Sequence, residues 1–277
     1  MKRKLLAAGL LILSCGTLKA AAQTCTLTLG DLNFGTYTGT QLDVTSAKGQ
    51  FNNIPDCTGS WQIPLNAGLG VGATETTRKM TSMGGAELNY EIFQDAARTT
   101  NWGGTGNDLT GNNYSVSIYA YGRILPNQNV APGTYTDTIS SATTSFTVTA
   151  FIQANCTISA NNLSFGTYTG ALINATTLLT VTCTNKTVFA IGLNAGTATG
   201  ATVTTRAMTG PGSATLGYSL FRDSGRTLNW GNTVGTDTLQ ETATGSAVQY
   251  TVYGQIPAGT VPVPGTYTDT IIATVSY

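Results

Sequence analysis

Histidine is absent from this chain, and charged residues make up only 9% of its 277 positions. Without an imidazole there is no Ser-His-Asp triad and no side chain with an ordinary pKa near neutrality, and the commonest metal ligand is missing as well. The five cysteines include no C-x-x-C spacing, which removes the other usual route to zinc. Residues 105–113 carry many oxygen-bearing side chains but lack the carboxylate count and spacing of calcium loops. Long apolar runs are also missing: the one at 5–13 is far shorter than the roughly 20 residues that cross a bilayer. The expectation is a protein that is not an enzyme and carries no cofactor and no metal.

The few basic residues are concentrated at the start. Lys2, Arg3 and Lys4 precede the apolar run, and Ala20, Ala21 and Ala22 follow it, which is the three-part layout of a secretory signal spanning 1–22. The stretch Ile12-Leu13-Ser14-Cys15 loosely resembles a lipoprotein cleavage site, but leucine before serine is a poor match, and Cys15 is read as lost with the signal. Of 13 basic residues, removal takes Lys2, Arg3, Lys4 and Lys19 and no acid, leaving nine against 13 acidic ones. A mildly acidic chain argues against nucleic acid or anionic lipid as a partner. Four cysteines remain: Cys25 with Cys57, and Cys156 with Cys183. In an exported protein an even number reads as disulfides, the competing arrangement being two pairs of buried thiols.

What the chain does have is a repeat. F-G-T-Y-T-G at 34–39 recurs at 165–170, L-N-A-G at 65–68 recurs at 193–196, and P-G-T-Y-T-D-T-I at 132–139 recurs at 264–271. Between them Arg78 and Met80 answer to Arg206 and Met208, Asp95 and Arg98 to Asp223 and Arg226, and Trp102 to Trp230. Two copies, each long enough for a domain, indicate duplication of a domain rather than a solenoid. Short alternating runs rich in Thr, Val and Tyr, punctuated by Gly, Asn, Asp and Pro, predict an all-β fold, with strands in the second copy at 180–183, 216–221, 248–253 and 266–277. Strands at this spacing favour a sandwich of the immunoglobulin kind over a barrel. The presence of Asp95, Arg98, Asp137, Trp102 and their counterparts in both copies assigns them to turns and packing rather than to chemistry.

The copies differ at their ends. After 135–140 the first copy has a turn-like stretch at 141–144 and then S-F-T-V-T-A-F-I-Q at 145–153, with Phe146, Val148, Ala150 and Ile152 on one face. In the second copy Ile271, Ala273, Val275 and Tyr277 share one face of a last strand, and no counterpart of 145–153 follows. A sandwich short of one strand leaves a core groove open and a sheet edge unpaired, so something must fill it.

The F-G-T-Y-T-G element, the R-x-x-N-W-G turn and the terminal P-G-T-Y-T-D-T-I-x-x-x-V-x-Y resemble the spore coat protein U domain, the pilin family of archaic, Csu-type chaperone–usher systems. The resemblance covers both copies. It implies two tandem immunoglobulin-like β-sandwich pilin domains, 23–154 completed by the 145–153 strand and 155–277 lacking its last strand. It also implies a periplasmic chaperone that first lends the missing strand, an outer-membrane usher, and an adjacent pilin subunit that later donates its own. Only Gln23 and Thr24 would precede Cys25, so no donor extension is expected at the N-terminus, and the chain is expected at a pilus tip on the cell surface, contacting an abiotic or host surface. A structural coat or shaft subunit without adhesive function is the competing reading. Apolar loop residues of the first copy are the candidates for that contact: Leu69 and Val71, which replace Thr197 and Thr199, with Met83, and Phe51 and Ile54 in a longer 40–56 segment.

Overall fold

The computed structural model describes residues 26–52, 61–104, 106–111, 117–142 and 144–277. Cys25, Cys57, Ile54 and the signal-like stretch 1–22 lie outside the described residues. Strands of the first half are β1 (Thr26–Thr28), β2 (Leu32–Thr36), β3 (Leu42–Thr45), β4 (Gly49–Asn52), β5 (Trp61–Ile63), β6 (Arg78–Ser82) and β7 (Glu87–Phe93). They continue with β8 (Leu109–Gly111), β9 (Ser117–Ile118), β10 (Tyr121–Ile124), β11 (Gly133–Ser140) and β12 (Ser145–Ile152). The second half holds β13 (Cys156–Ala160), β14 (Ile173–Cys183), β15 (Val188–Leu193), β16 (Arg206–Thr209), β17 (Thr215–Phe221), β18 (Leu239–Thr242), β19 (Val248–Ile256) and β20 (Ala273–Ser276). A 3-10 turn at Pro211–Ser213 is the one helical element among the described residues.

Alternation of apolar and polar residues sets which side of each strand is buried. In β7, Leu88, Tyr90 and Ile92 point into the core, and in β12, Phe146, Val148, Ala150 and Ile152 do so. The first half is a seven-stranded sheet in the order β2-β12-β11-β6-β7-β10-β3, with a three-stranded sheet β1-β4-β9 and the pair β5-β8 facing it. The large sheet curls until β2 lies against β3. One core fills the inside, built on Leu32, Phe34, Met80, Trp102, Ile124, Tyr135 and Phe146. The second half has its own core around Leu179, Ile191, Tyr218, Leu220 and Trp230, between a five-stranded sheet β13-β14-β19-β17-β16 and a three-stranded sheet β18-β15-β20.

The second half departs from the expected strands in one place. Of 266–277, only β20 is regular strand, with an isolated bridge from Thr268 to Thr209. Its counterpart in the first half, β11, is continuous over eight residues because β12 pairs with every one of them. The 266–272 stretch has no such neighbour. Cys156 and Cys183 face each other across β13 and β14 and form a disulfide. By the chain-entropy model, closing a loop of that sequence separation, 27, contributes about 3 to 4 kcal/mol.

Candidate functional site

β12 lies in a slot between β2 and β11. It runs antiparallel to β11, from Gly133 opposite Ile152 to Ser140 opposite Ser145, and parallel to β2, with Val148 opposite Leu32. The Tyr37 amide donates to the Phe151 carbonyl and the Thr147 amide to Asp31 Oδ1, extending the ladder beyond both ends of the parallel pairing. Phe146, Val148, Ala150 and Ile152 are all buried, so the strand closes the core that Leu32, Phe34, Tyr37, Tyr135 and Ile139 would otherwise expose. Burying Phe146, Val148 and Ile152 contributes about 1.5 to 3 kcal/mol each as an upper estimate.

The same slot exists in the second half and holds no strand of the described residues. Its walls are 162–168, the counterpart of β2, and 264–271, the counterpart of β11. Between and beneath them run two adjoining clefts of about 450 and 530 Å³, lined by Leu163, Phe165, Met208, Leu216, Tyr267 and Ile271 among others. Each of those six is only half-buried, whereas its counterpart in the first half (Leu32, Phe34, Met80, Leu88, Tyr135 and Ile139) is fully buried. The difference in burial follows the outline of β12. Of the proposed last-strand residues, Ile271 and Ala273 line the cleft, Ala273 and Val275 lie in β20 against β15, and Tyr277 is 59% exposed just beyond it. At the position where the first half turns back at Ser141, the second half crosses to the other sheet.

The repeated polar residues hold backbone in place. Asp137 accepts from the Leu69 amide at 2.7 Å, the Thr138 amide at 2.8 Å and the Tyr90 hydroxyl at 2.7 Å, and Asp269 repeats the pattern with Thr197, Thr270 and Tyr218. Gly68 and Gly196 sit at φ +85° and +87° directly against these carboxylates, where no Cβ would fit. Burial pushes the Asp269 carboxyl up, but the donors from Tyr218, Thr197 and Thr270 outweigh it and the net shift is downward. The Tyr90 and Tyr218 hydroxyls are pushed well above their ordinary value, first by burial and then by the neighbouring carboxylate. Asp95 and Arg98 turn to different partners: Asp95 accepts from the Thr99 and Thr100 amides, while Arg98 donates to the Gly122, Ala96 and Val44 carbonyls. Trp102 and Trp230 are fully buried, each donating its indole N–H to a carbonyl, of Ile63 and Ile191. Among the described residues no group of three or more His, Cys, Asp or Glu could hold a metal ion.

Arg78 and Arg206 were visible in the sequence only as matching letters. Both are buried, and each spreads its guanidinium over main-chain carbonyls: Asn66, Glu75 and Trp102 for Arg78, and Asn194, Val203, Leu193 and Trp230 for Arg206. Main-chain acceptors leave no trace in residue type, so only the recurrence of an arginine before a core methionine could have pointed to them.

Of the apolar candidates among the described residues, Met83 lies apart from Leu69 and Val71. Leu69 and Val71 are 75% and 83% exposed on the loop between β5 and β6. That loop lies beside the 140–144 turn, because the Asn66 amide donates to the Ser140 carbonyl and the Ser140 amide to Asn66 Oδ1. Met83 is fully exposed in the turn after β6, four residues beyond Lys79, whose ammonium meets the Val71 carbonyl. At strand rise that is about 13 Å further along, toward the β11 end that begins at Gly133. Phe51 lies in β4 opposite Leu27 of β1.

Fold and slot together define a class: all-β chains of two tandem immunoglobulin-like pilin domains, one with its last strand in place and one without. The model of the spore coat protein U domain matches residues 13–141 and again 142–274, and the chain belongs to that family. The division falls just before β12, so the family pattern groups this strand with the second repeat, whereas in space it lies in the first. Protein U of Myxococcus xanthus is 42% identical over 62 residues, covering 22% of this chain and 34% of that protein; the chain thus spans about a third of the length of the curated relative it matches. Among solved structures, the CsuC–CsuE chaperone–tip adhesion subunit pre-assembly complex from archaic chaperone–usher Csu pili of Acinetobacter baumannii is similar at a TM-score of 0.50 and 16% identity, covering 91% of this chain and 100% of that one. The CupB6 tip adhesin from Pseudomonas aeruginosa gives 0.39 and 11%, covering 91% and 93%. At these identities the first of the two speaks for the fold.

Proposed function

We propose that this chain is the tip subunit of a chaperone–usher pilus, exported through the periplasm to the cell surface, with an adhesive first domain and a second domain that joins it to the fibre. The observation that carries the reading is the pair of equivalent slots, one filled by the chain's own β12 and one open. A periplasmic chaperone covers the open slot first, and after passage through the usher a neighbouring pilin subunit inserts its strand there. This is β-strand addition, in which ladder hydrogen bonds give strength and alternate apolar side chains give register. Because β12 is consumed within its own chain, it is not available to a neighbour, which suits the end of a fibre. Surface adhesion and biofilm formation follow from the exposed apolar loop of the first domain, and no chemistry is required of it.

A synthetic peptide with the sequence of residues 145–153 tests the slot, because the apolar wall residues of the two slots match: Leu32 with Leu163, Phe34 with Phe165, Tyr135 with Tyr267 and Ile139 with Ile271. It is expected to bind the whole chain one to one and to raise the melting temperature of the second domain. Absence of binding to a folded chain would remove the proposed attachment. Adhesion is tested separately: the Leu69→Thr, Val71→Thr double variant, which copies Thr197 and Thr199, is expected to lose retention on a methyl-terminated surface. If retention is unchanged, the reading falls back to a structural subunit.

A further inference from the structure

Leu69 and Val71 stand out into solvent on a loop that the second domain builds differently. There the position of Leu69 is taken by Thr197, whose hydroxyl turns inward and donates to Asp269 Oδ1 at 2.8 Å, adding a tether to the one its amide already makes. Leucine cannot make that bond. What the first domain has in its place is Lys79, on the adjacent strand β6, whose ammonium donates to the Val71 carbonyl at 3.1 Å and pairs with Glu87 Oε2 at 2.7 Å. The second domain has Ala207 and Thr215 at those two positions. Gly70 is part of the same arrangement: its Cα is pressed against the main chain and Cβ of Lys79 so closely that no side chain would fit, while the second domain has Ala198 there. The apolar pair, the lysine, the glutamate and the glycine therefore occur together in one copy and are all replaced in the other.

We propose that Lys79 is a positioning residue that clamps the 68–77 loop onto β6, so that Leu69 and Val71 are held outward as a preformed apolar contact. This rests on the adhesive reading of the first domain and adds how its contact is shaped. Glu87 orients the ammonium, Val71 supplies the carbonyl it holds, and Gly70 allows the backbone to approach. A loop already ordered gives up less freedom when it meets a surface, which lengthens the bound lifetime more than it speeds arrival.

The test compares Lys79→Ala, which copies the second domain, and Lys79→Arg with the unaltered chain, using two readouts. Hydrogen exchange reports the loop: the Ala73 amide, which donates to the Gly70 carbonyl, is expected to exchange roughly three- to tenfold faster in Lys79→Ala, as for loss of an ion pair and a hydrogen bond. The Leu69 amide, held by Asp137, is expected to stay as it was. On a methyl-terminated surface the dissociation rate is expected to rise by a similar factor while the melting temperature of the first domain falls by only a few degrees, and Lys79→Arg is expected to restore both readouts. Unchanged Ala73 exchange in Lys79→Ala would overturn the clamp, whatever the adhesion result. Faster exchange with unchanged dissociation would overturn the link to binding. Loss of the adhesive reading itself shows elsewhere, as unaltered retention in the Leu69→Thr, Val71→Thr variant.

Discussion

Placing a guanidinium in a core without a carboxylate beside it works only if its N–H groups find acceptors, and four of the five on Arg206 do, in carbonyls drawn from three segments of chain. Arg206→Met keeps much of the volume and leaves those carbonyls without their donor. It is expected to destabilise the second domain by on the order of 2 to 4 kcal/mol, read as a lower urea midpoint at constant slope. The titrating residues predict a broad plateau. Asp43, Asp95, Asp223 and Asp269 all have carboxyls below the ordinary range: Asp43 chiefly through the bond from Arg123, Asp95 and Asp223 chiefly through backbone amides. A depressed carboxyl contributes stability above its unfolded pKa, about 4, and loses it as pH falls through the lower folded value. Glu91, raised by burial, has the opposite sign: its contribution is present below about 4 and lost above the raised folded value. Tyr90 and Tyr218, raised by burial, lose theirs only as pH climbs past about 10. With no histidine in the chain, the melting temperature is expected to be nearly flat between roughly pH 6 and 9 and to fall below 4. A step near pH 6.5 would contradict this.

At the level of elements, β12 shows what a sequence can reveal. Its alternating apolar residues and its place after a turn-like tetrapeptide were legible, and the observed strand, Ser145–Ile152, stops one residue short of the expected end. The repeat was equally legible, because duplication writes the same fold twice. Less visible was the fate of 266–277, where period-two alternation predicts one long strand but only Ala273–Ser276 is regular. Alternation records which side of a segment is apolar; it does not record whether a neighbour is present to complete the ladder. The Lys79 clamp was hidden for a related reason, since it acts on a carbonyl. Val148 sits fully buried at the middle of β12, opposite Leu32 and Asp137. Val148→Asp would bury a carboxylate beside another one, and the first domain is expected to lose its cooperative unfolding transition while the second retains its own. Separate calorimetric transitions in the whole chain measure this directly.

For the whole molecule, what matters is how closely the two slots are coupled. Only residues 153–155 separate β12 from β13, and Thr184 holds them: its hydroxyl donates to the Gln153 carbonyl, and its amide to the Asn155 carbonyl. Asn129 of the first half donates to the Thr244 carbonyl and accepts from Asn185 of the second through its own carbonyl. A strand leaving the first slot would therefore pull on the first strand of the second domain, which the Cys156–Cys183 disulfide fastens to β14. Tethered this closely to its own slot, β12 has an effective concentration far above that of any strand supplied from solution, so the first slot stays filled by its own strand. Expressed as 23–154, the first domain is expected to be a stable monomer; expressed as 155–277, the second is expected to associate in proportion to concentration until the 145–153 peptide is added. In the whole chain, size-exclusion chromatography should show the association of the second domain alone, suppressed by the same peptide. If 155–277 proves monomeric and stable with its slot open, the half-buried Leu163, Phe165 and Ile271 do not need covering, and the second domain is not built to receive a strand.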